Sequence, residues 1–479
     1  MMNADGLKQM LALRMGKVRR IHFVGIGGSG MAGIAEVLLN LGYQVSGTDL
    51  GDTSVTRRLI SLGATITQGH SAAAVSGADV VVRSTAIALD NPEIQAAQAA
   101  RIPVIRRAEM LAELMRFRIG IAIAGTHGKT TTTSLTSAVL AAGGLDPTYV
   151  VGGLVKSSGS NAQLGAGPYL VAEADESDAS FLHLTPMIAA VTNIDADHME
   201  TYGGDFNRLC DAFVEFLHFL PFYGLAVLCT DDVNLRKLIP EVARPVVRYG
   251  LGSDADIRAV DLKTDAGGTR FTVIGAAAQD FQIRLNLPGE HNVLNALAAI
   301  SIARELDVAP EAIQAALDQF AGIGRRAERL GNLQLNTGEA YLVDDYGHHP
   351  REIACTLQAM RHAWPERRLV VAFQPHRYSR TRDLLDDFAE VLGAADVLLL
   401  TEVYAAGEAP IANADGRALA RAVRLRGDVE PIFVADLNEL PHRLSSVLAD
   451  GDLLLTLGAG NIGHLAQSMA RDGLPGVSA

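Results

Sequence analysis

The chain has 479 residues, is 48% hydrophobic and 20% charged, and its 41 basic against 54 acidic residues leave a net charge of −13. That length exceeds a single hydrophobic core and points to about three domains. The acidic balance argues against a broad nucleic-acid or anionic-membrane surface, whereas a small anionic ligand needs only a local cationic site.

The stretch Met1 to Arg20 has no sustained apolar segment, and no apolar run reaches membrane-spanning length, so a soluble cytoplasmic protein is expected. The three cysteines (Cys210, Cys229 and Cys355) are widely spaced without a CxxC pair, which predicts buried free thiols and no zinc site. Strand-like apolar runs alternate with helical patterns throughout, the signature of parallel α/β layers. Three blocks are expected: residues 1–118, 119–324 and 325–479.

The first block opens with a strand, Ile21–Val24, followed by Gly25-Ile26-Gly27-Gly28-Ser29-Gly30 and a helical run, Ala32–Leu41. A second strand, Gln44–Ser46, leads to Asp49, about 20 residues past the last glycine. This is the dinucleotide fingerprint in its βαβ context, with an acid placed for a ribose hydroxyl. A pyrophosphate on a helix N-terminus suits a nicotinamide cofactor and a UDP-sugar equally, so a dehydrogenase remains open at this point.

The second block begins with the apolar run Ile119–Ala124, which stops at Gly125-Thr126-His127-Gly128-Lys129-Thr130-Thr131-Thr132. A glycine-bounded loop between strand and helix turns backbone N–H groups toward phosphates, with Lys129 reaching the β/γ oxygens and the Thr130 hydroxyl placed for Mg²⁺. The strict phosphate-loop pattern has a glycine where this chain has Ile123; the alternative is a capping turn with a solvated lysine. Strand Tyr169–Ala172 then ends at Glu173-Ala174-Asp175-Glu176-Ser177-Asp178, where Glu173, nearest the strand, is the expected Mg²⁺ ligand; the alternative is a solvated acidic turn, above all for Glu176 and Asp178. Strand Ile188–Val191 ends near His198, a metal ligand or a structural histidine. Asn292 and Asn295, three apart before the apolar helix Ala296–Ala303, share a face and can read an adenine edge; the alternative for Asn292 is an N-cap.

In the third block, strands are predicted at Tyr341–Val343, Leu369–Phe373, Val397–Thr401, Ile432–Val434 and Leu453–Leu457. The first two end at Asp344-Asp345-Tyr346-Gly347-His348-His349-Pro350 and at Gln374-Pro375-His376-Arg377-Tyr378-Ser379-Arg380-Thr381-Arg382. Three closely spaced arginines there suit a carboxylate or phosphate. A second GxGxxG, Gly458 to Gly463, has no strand after it to supply an acid and reads as a tight strand-to-helix turn at a domain edge.

The ordered strings GIGGSGM, GTHGKTTTT, EADESDASF, TNIDADHMETY, LPGEHNVLNALAA, GRR, DDYGHHP and FQPHRYSRTRDL, spanning residues 25 to 382, resemble the Mur ligase family. Within it they are most similar to members that add L-alanine. The resemblance implies three α/β domains: a Rossmann-like UDP-binding domain, a phosphate-loop ATPase domain and a C-terminal Rossmann-like domain for the amino acid. It implies that ATP phosphorylates the lactyl carboxylate of UDP-N-acetylmuramate, after which L-alanine attacks the acyl phosphate. Gly27, Gly28, Ser29 and Gly30 would hold the uridine diphosphate, with Asp49 and His70 near the uridine. Gly125, Thr126, His127, Gly128, Lys129, Thr130 and Thr131 would cradle ATP, with Asn292 and Asn295 at adenine and Arg326 and Asp345 at phosphate or ribose. Thr130, Glu173 and His198 would bind two Mg²⁺ ions, and Tyr346, His348, Arg377 and Arg380 would surround the amino acid and the reacting carboxyl. Several family members use a carbamylated lysine downstream of the metal histidine. This chain has no lysine between His198 and Lys237, so none is expected, and water fills the remaining metal positions. The rival readings are a ligase that recycles a tripeptide, a nicotinamide-dependent dehydrogenase and a nucleotide-switched binding module.

Overall fold

The computed structural model describes residues 15–84, 86–275 and 280–476; the reading of the first residues as lacking an apolar segment, and the Ser29 side chain, lie outside what is described. Three sheets follow one another along the chain, each with helical crossovers, giving three α/β domains.

The first sheet contains β1 (Arg20–Val24), β2 (Gln44–Asp49), β3 (Thr65–Gln68), β4 (Val80–Arg83) and β5 (Val104–Arg106) in the order β3-β2-β1-β4-β5, all parallel. Strand order reverses at β1, so the crevice where such sheets bind ligands opens at its carboxyl end, where Gly25 begins the glycine loop. The predicted strands and helix are present, the helix as Ser29–Asn40 and the second strand reaching Asp49.

The second sheet has ten strands. They are β6 (Ile119–Ala124), β7 (Thr148–Val155), β8 (Ser160–Gln163), β9 (Tyr169–Glu173), β10 (Ile188–Val191), β11 (Leu225–Cys229), β12 (Val246–Gly250), β13 (Ile257–Asp265), β14 (Gly268–Ile274) and β15 (Phe281–Leu285). Their order is β15-β14-β13-β12-β11-β10-β6-β9-β7-β8. Strand β6 lies between β10 and β9, parallel to both. The ends of these three strands are therefore neighbours, although their motifs are far apart in sequence. Apolar β6, β9 and β10 are nearly all buried, as strands covered on both faces must be.

The third sheet orders as β16-β17-β21-β18-β19-β20, with β16 (Glu328–Leu335), β17 (Gly338–Asp345), β18 (Leu369–Phe373), β19 (Val397–Thr401), β20 (Pro431–Val434) and β21 (Leu453–Leu457). The five predicted strands are present and mutually parallel. Two details differ from expectation. An unpredicted antiparallel strand, β16, covers one edge, its mixed sequence ERLGNLQL having too little alternation to read as a strand. The second GxGxxG also follows β21, which is central rather than at a domain edge. Alternate residues of one strand serve opposite cores. Val371 and Leu455 pack with Leu357 and Phe388, while Val370 and Leu454 pack with Leu440 and Ile462.

The chain forms two compact units: Met1–Val260, Thr272–Ile283 and Leu294–Ala321 make one, and Asp261–Phe271, Arg284–Val293 and Gly322–Ala479 the other. Within the first unit, helix Ser29–Asn40 lies against β7 and β8; a methyl group on Gly33 would come within 3.2 Å of Val150 and Ala162. Glu36, buried on that helix, accepts from Ser160 Oγ at 2.9 Å and pairs with Arg58 at 2.8 Å. Among the described residues, no helix is long and apolar enough to cross a membrane. The cysteines are free, but only Cys229 is buried, Cys210 and Cys355 being half-buried, which corrects the expectation for those two.

Candidate active site

The phosphate loop is shaped by two glycines that nothing larger can replace. Gly125 has φ 120°, and a methyl group there would sit 2.2 Å from Thr192 Oγ1; Gly128 has φ 85°, and its methyl group would meet Asn295 Oδ1 at 2.4 Å. The β10 loop holds the phosphate loop from the side. Thr126 N–H donates to the Asn193 carbonyl (3.0 Å), His127 N–H to Asn193 Oδ1 (2.8 Å), and Thr192 Oγ1 to the His127 carbonyl (2.6 Å). The His127 ring faces Asp195 at 3.3 Å.

Helix Lys129–Ala142 begins directly at Gly128. Its run of threonines and serines is buried, a costly composition unless every hydroxyl is bonded. Thr133, Ser134, Thr136 and Ser137 each donate to the carbonyl four residues back at 2.8 Å. Thr132 Oγ1 donates to Asn295 Oδ1 at 3.2 Å, placing one predicted adenine residue beside the loop. Thr130 and Thr131 are buried in the helix's first turn.

The Lys129 ammonium donates to both oxygens of Glu176 (2.7 and 3.0 Å) and to the carbonyls of Gly125 (2.7 Å) and Thr126 (3.0 Å). Glu176 is only 1% exposed, which removes the alternative of a solvated turn for this residue. Burial pushes its carboxyl up to about 7 against the pull of Lys129. Glu173, Asp175 and Glu176 all act electrostatically on Lys129. Three carboxylates stand against two cations, Lys129 and the Arg107 guanidinium 3.5 Å from Asp175, and oxygen donors of this kind fit a divalent cation such as Mg²⁺. Glu173 Oε1 is oriented by the Gly152 N–H at 2.6 Å. His198 begins a short turn at φ 56° with its ring 3.5 Å from Asp197. Thr201 and Tyr202 of that turn donate to the carbonyls of Ser177 and Glu176, both at 2.6 Å, tying the His198 turn to the acidic one.

At β1, Gly28 is the N-cap of helix Ser29–Asn40, and Gly27 N–H donates to Asp49 Oδ2 at 2.8 Å. Asp49 Oδ1 accepts from Gly51 N–H at 3.1 Å, so this carboxylate fixes the glycine loop to the end of β2. Beneath them lies a buried polar network that sequence reading missed. Glu93, wholly buried, accepts from His22 Nε2 (2.8 Å), His70 Nδ1 (2.8 Å) and Thr48 Oγ1 (2.9 Å). Burial pushes its carboxyl up, but these bonds outweigh burial and hold it below the usual value. His70, predicted near uridine, is thereby fixed in orientation.

In the second unit, Asp345 accepts from the N–H groups of Ala327 (2.7 Å) and Gly347 (2.8 Å), holding two loops together, and burial raises its pKa. The Tyr346 ring lies under the guanidinium groups of Arg325 and Arg326, 5.1 and 5.0 Å from its centroid. Arg325 also bonds Asp344 and the carbonyls of Gly458 and Gly460. The second glycine motif is thus filled by the protein's own side chains, in keeping with its reading as a structural turn. His348 packs edge-on to Tyr346 and His376, and His376 stacks on Tyr404 at 5.5 Å. Burial lowers the His376 pKa to about 4, with Arg380 and Arg377 adding to the effect, so this imidazole is neutral at physiological pH. His376 carries no role in the sequence pattern; the available signal was its place at a strand end, just ahead of Arg377 and Arg380. Arg380 is buried, and Arg377 (φ 71°) approaches Glu408 at 3.8 Å. The third arginine, Arg382, pairs with its neighbour Asp383 at 2.6 Å. Asn292 is buried in the first turn of helix Glu290–Glu305 and donates to the Pro288 carbonyl at 2.8 Å rather than capping it.

Comparison with known families matches the whole architecture. The Mur ligase family catalytic domain matches residues 20–118, the Mur ligase middle domain 123–303, and the Mur ligase glutamate ligase domain 325–460. A UDP-N-acetylmuramate–L-alanine ligase from Halorhodospira halophila is 62% identical over 450 residues, which is 94% of this chain and 93% of that protein. The enzyme of that name from Methylococcus capsulatus is 61% identical over 455 residues, covering 95% and 96%. The crystal structure of UDP-N-acetylmuramate–alanine ligase from Thermotoga maritima matches at TM-score 0.80 and 30% identity, covering 95% of this chain and 98% of that one.

Proposed function

The chain belongs to the Mur ligase family, and from that premise we propose how its residues carry out the family's chemistry on UDP-N-acetylmuramate, L-alanine and ATP. It is an ADP-forming carbon–nitrogen ligase that joins L-alanine to UDP-N-acetylmuramate in peptidoglycan precursor synthesis. The reaction proceeds in the cytoplasm through an acyl phosphate. The lactyl carboxylate takes the γ-phosphoryl group of ATP, the alanine amine attacks the acyl carbon, and the tetrahedral intermediate expels phosphate.

The observation that carries the ATP assignment is Lys129 held at the head of a strand–loop–helix, among three carboxylates, on a helix whose Thr132 bonds Asn295. When ATP binds, its β/γ oxygens take the ammonium from Glu176, whose elevated pKa lets it accept a proton instead of standing as a lone buried anion. Thr130, Glu173 and His198 would hold Mg²⁺, which supplies charge neutralisation at the transferring phosphoryl group. No residue need act as a covalent nucleophile, since positioning and electrostatics are enough for phosphoryl transfer. In the second unit, neutral His376 leaves the positive charge of Arg377 and Arg380 for the amino acid and reacting carboxyl.

Phosphate release from ATP tests this directly, with UDP-N-acetylmuramate, Mg²⁺ and in turn L-alanine, glycine, L-serine and the L-Ala-D-Glu-meso-diaminopimelate tripeptide. L-Alanine is expected to drive release; release by the tripeptide alone would reassign the acceptor.

A further inference from the structure

The last glycine of the first fingerprint, Gly30, is covered by an arginine from another element. A methyl group on Gly30 would lie 3.1 Å from both Cδ and Nη1 of Arg107, so the side chain crosses directly over the first turn of helix Ser29–Asn40. Arg107 is the first residue of helix Arg107–Met115, immediately after β5, and its side chain is 22% exposed. Its Nη2 lies 3.5 Å from Asp175 Oδ2, in the acidic turn after β9 of the second sheet. A guanidinium carries five N–H donors in a planar fork suited to phosphate oxygens, and one carboxylate at this distance engages only one edge of it. The same side chain thus stands between the helix N-terminus assigned to a diphosphate and an acid that acts electrostatically on Lys129.

We propose that Arg107 is a binding residue for the diphosphate of the uridine nucleotide, and that Asp175 of the second domain positions it, so that the diphosphate site is built from two domains rather than one. The proposal rests on the reading of the first domain as the uridine diphosphate site. Gly30 accordingly serves to let the arginine pass, in addition to any contact between helix and sheet.

Calorimetric titration of the full chain with UDP and with uridine, without ATP, tests it on the wild type, Arg107→Gln, Arg107→Lys, Asp175→Asn and the Arg107→Gln/Asp175→Asn double variant. Arg107→Gln should weaken UDP at least tenfold, or about 1.4 kcal/mol, and change uridine less than twofold. Arg107→Lys, which keeps the charge without the fork, should fall between. Any shift in UDP affinity caused by Asp175→Asn should vanish in the Arg107→Gln background, because the carboxylate acts through the arginine. Unchanged UDP affinity in Arg107→Gln, or equal loss of UDP and uridine, overturns the binding role; additive effects overturn the link to Asp175. A wild type that binds neither ligand overturns the uridine diphosphate reading itself, which separates that failure from this one.

Discussion

Lys129 and Glu176 are individually readable as a phosphate-loop lysine and a turn carboxylate, but their contact and burial set their chemistry. Replacing Lys129 with alanine should reduce L-alanine-dependent phosphate release by roughly a thousandfold or more; near-normal turnover would remove the lysine from the mechanism. The variant should also show an altered pH profile of stability. Glu176 has a folded pKa of about 7 against an ordinary 4.5, so its contribution is present below 4.5 and lost as pH rises through about 7. Without the lysine that lowers it, that loss extends to higher pH, so chemical denaturation should show the variant's deficit growing above pH 7. Gly125→Ala places a methyl group against Thr192 at a positive φ and should cost about 2 kcal/mol or more, together with ATP affinity, measured by thermal melting with and without ATP. Gly125 and Lys129 were legible because their spacing is local. Glu176 stayed open between a buried carboxylate and a solvated turn, because its burial depends on Tyr202 and Lys129, which no neighbouring residue announces.

Strands and the loops at their carboxyl ends form the next scale. The alternation of apolar run and polar loop located β6, β9, β10 and β18 with little error, because parallel strands buried on both faces are apolar throughout, whereas for β17 only its central Tyr341–Val343 was visible. The edge strands β16 and β8 carry mixed sequences, so they were not visible. The polar network under β1 was equally hidden, since His22, Thr48, His70 and Glu93 come from four separate elements. Glu93→Ala should destabilise the protein by about 3 kcal/mol, because two imidazoles and a hydroxyl lose their acceptor. Its depressed pKa means that the stabilisation is complete above the ordinary value of 4.5 and is lost as pH falls below it. Acid unfolding followed by circular dichroism should therefore show a smaller loss below pH 4.5 in the variant than in the wild type.

At the scale of the molecule, the first and second sheets belong largely to one compact unit, and the third sheet lies in the other. Each unit has its own buried core, so calorimetry should resolve two unfolding transitions. UDP, assigned to the glycine loop of the first unit, should raise one transition and leave the other unchanged. At a hundred times its dissociation constant the stabilisation should be about 2.7 kcal/mol. A uniform shift of both, or of neither, would place the nucleotide elsewhere.

The sequence by itself determined the α/β class, the place of each glycine loop between a strand and a helix, and the ligase family. Those properties rest on short-range periodicity and on residue types that the chemistry of phosphates requires at fixed spacing. Tertiary structure alone decided which loops become neighbours, because strand order, not chain order, sets β6 between β9 and β10. It also decided the ionisation of Glu176, Glu93 and His376 and the reach of Arg107 to Asp175. Burial and through-space charge depend on residues that only folding brings together.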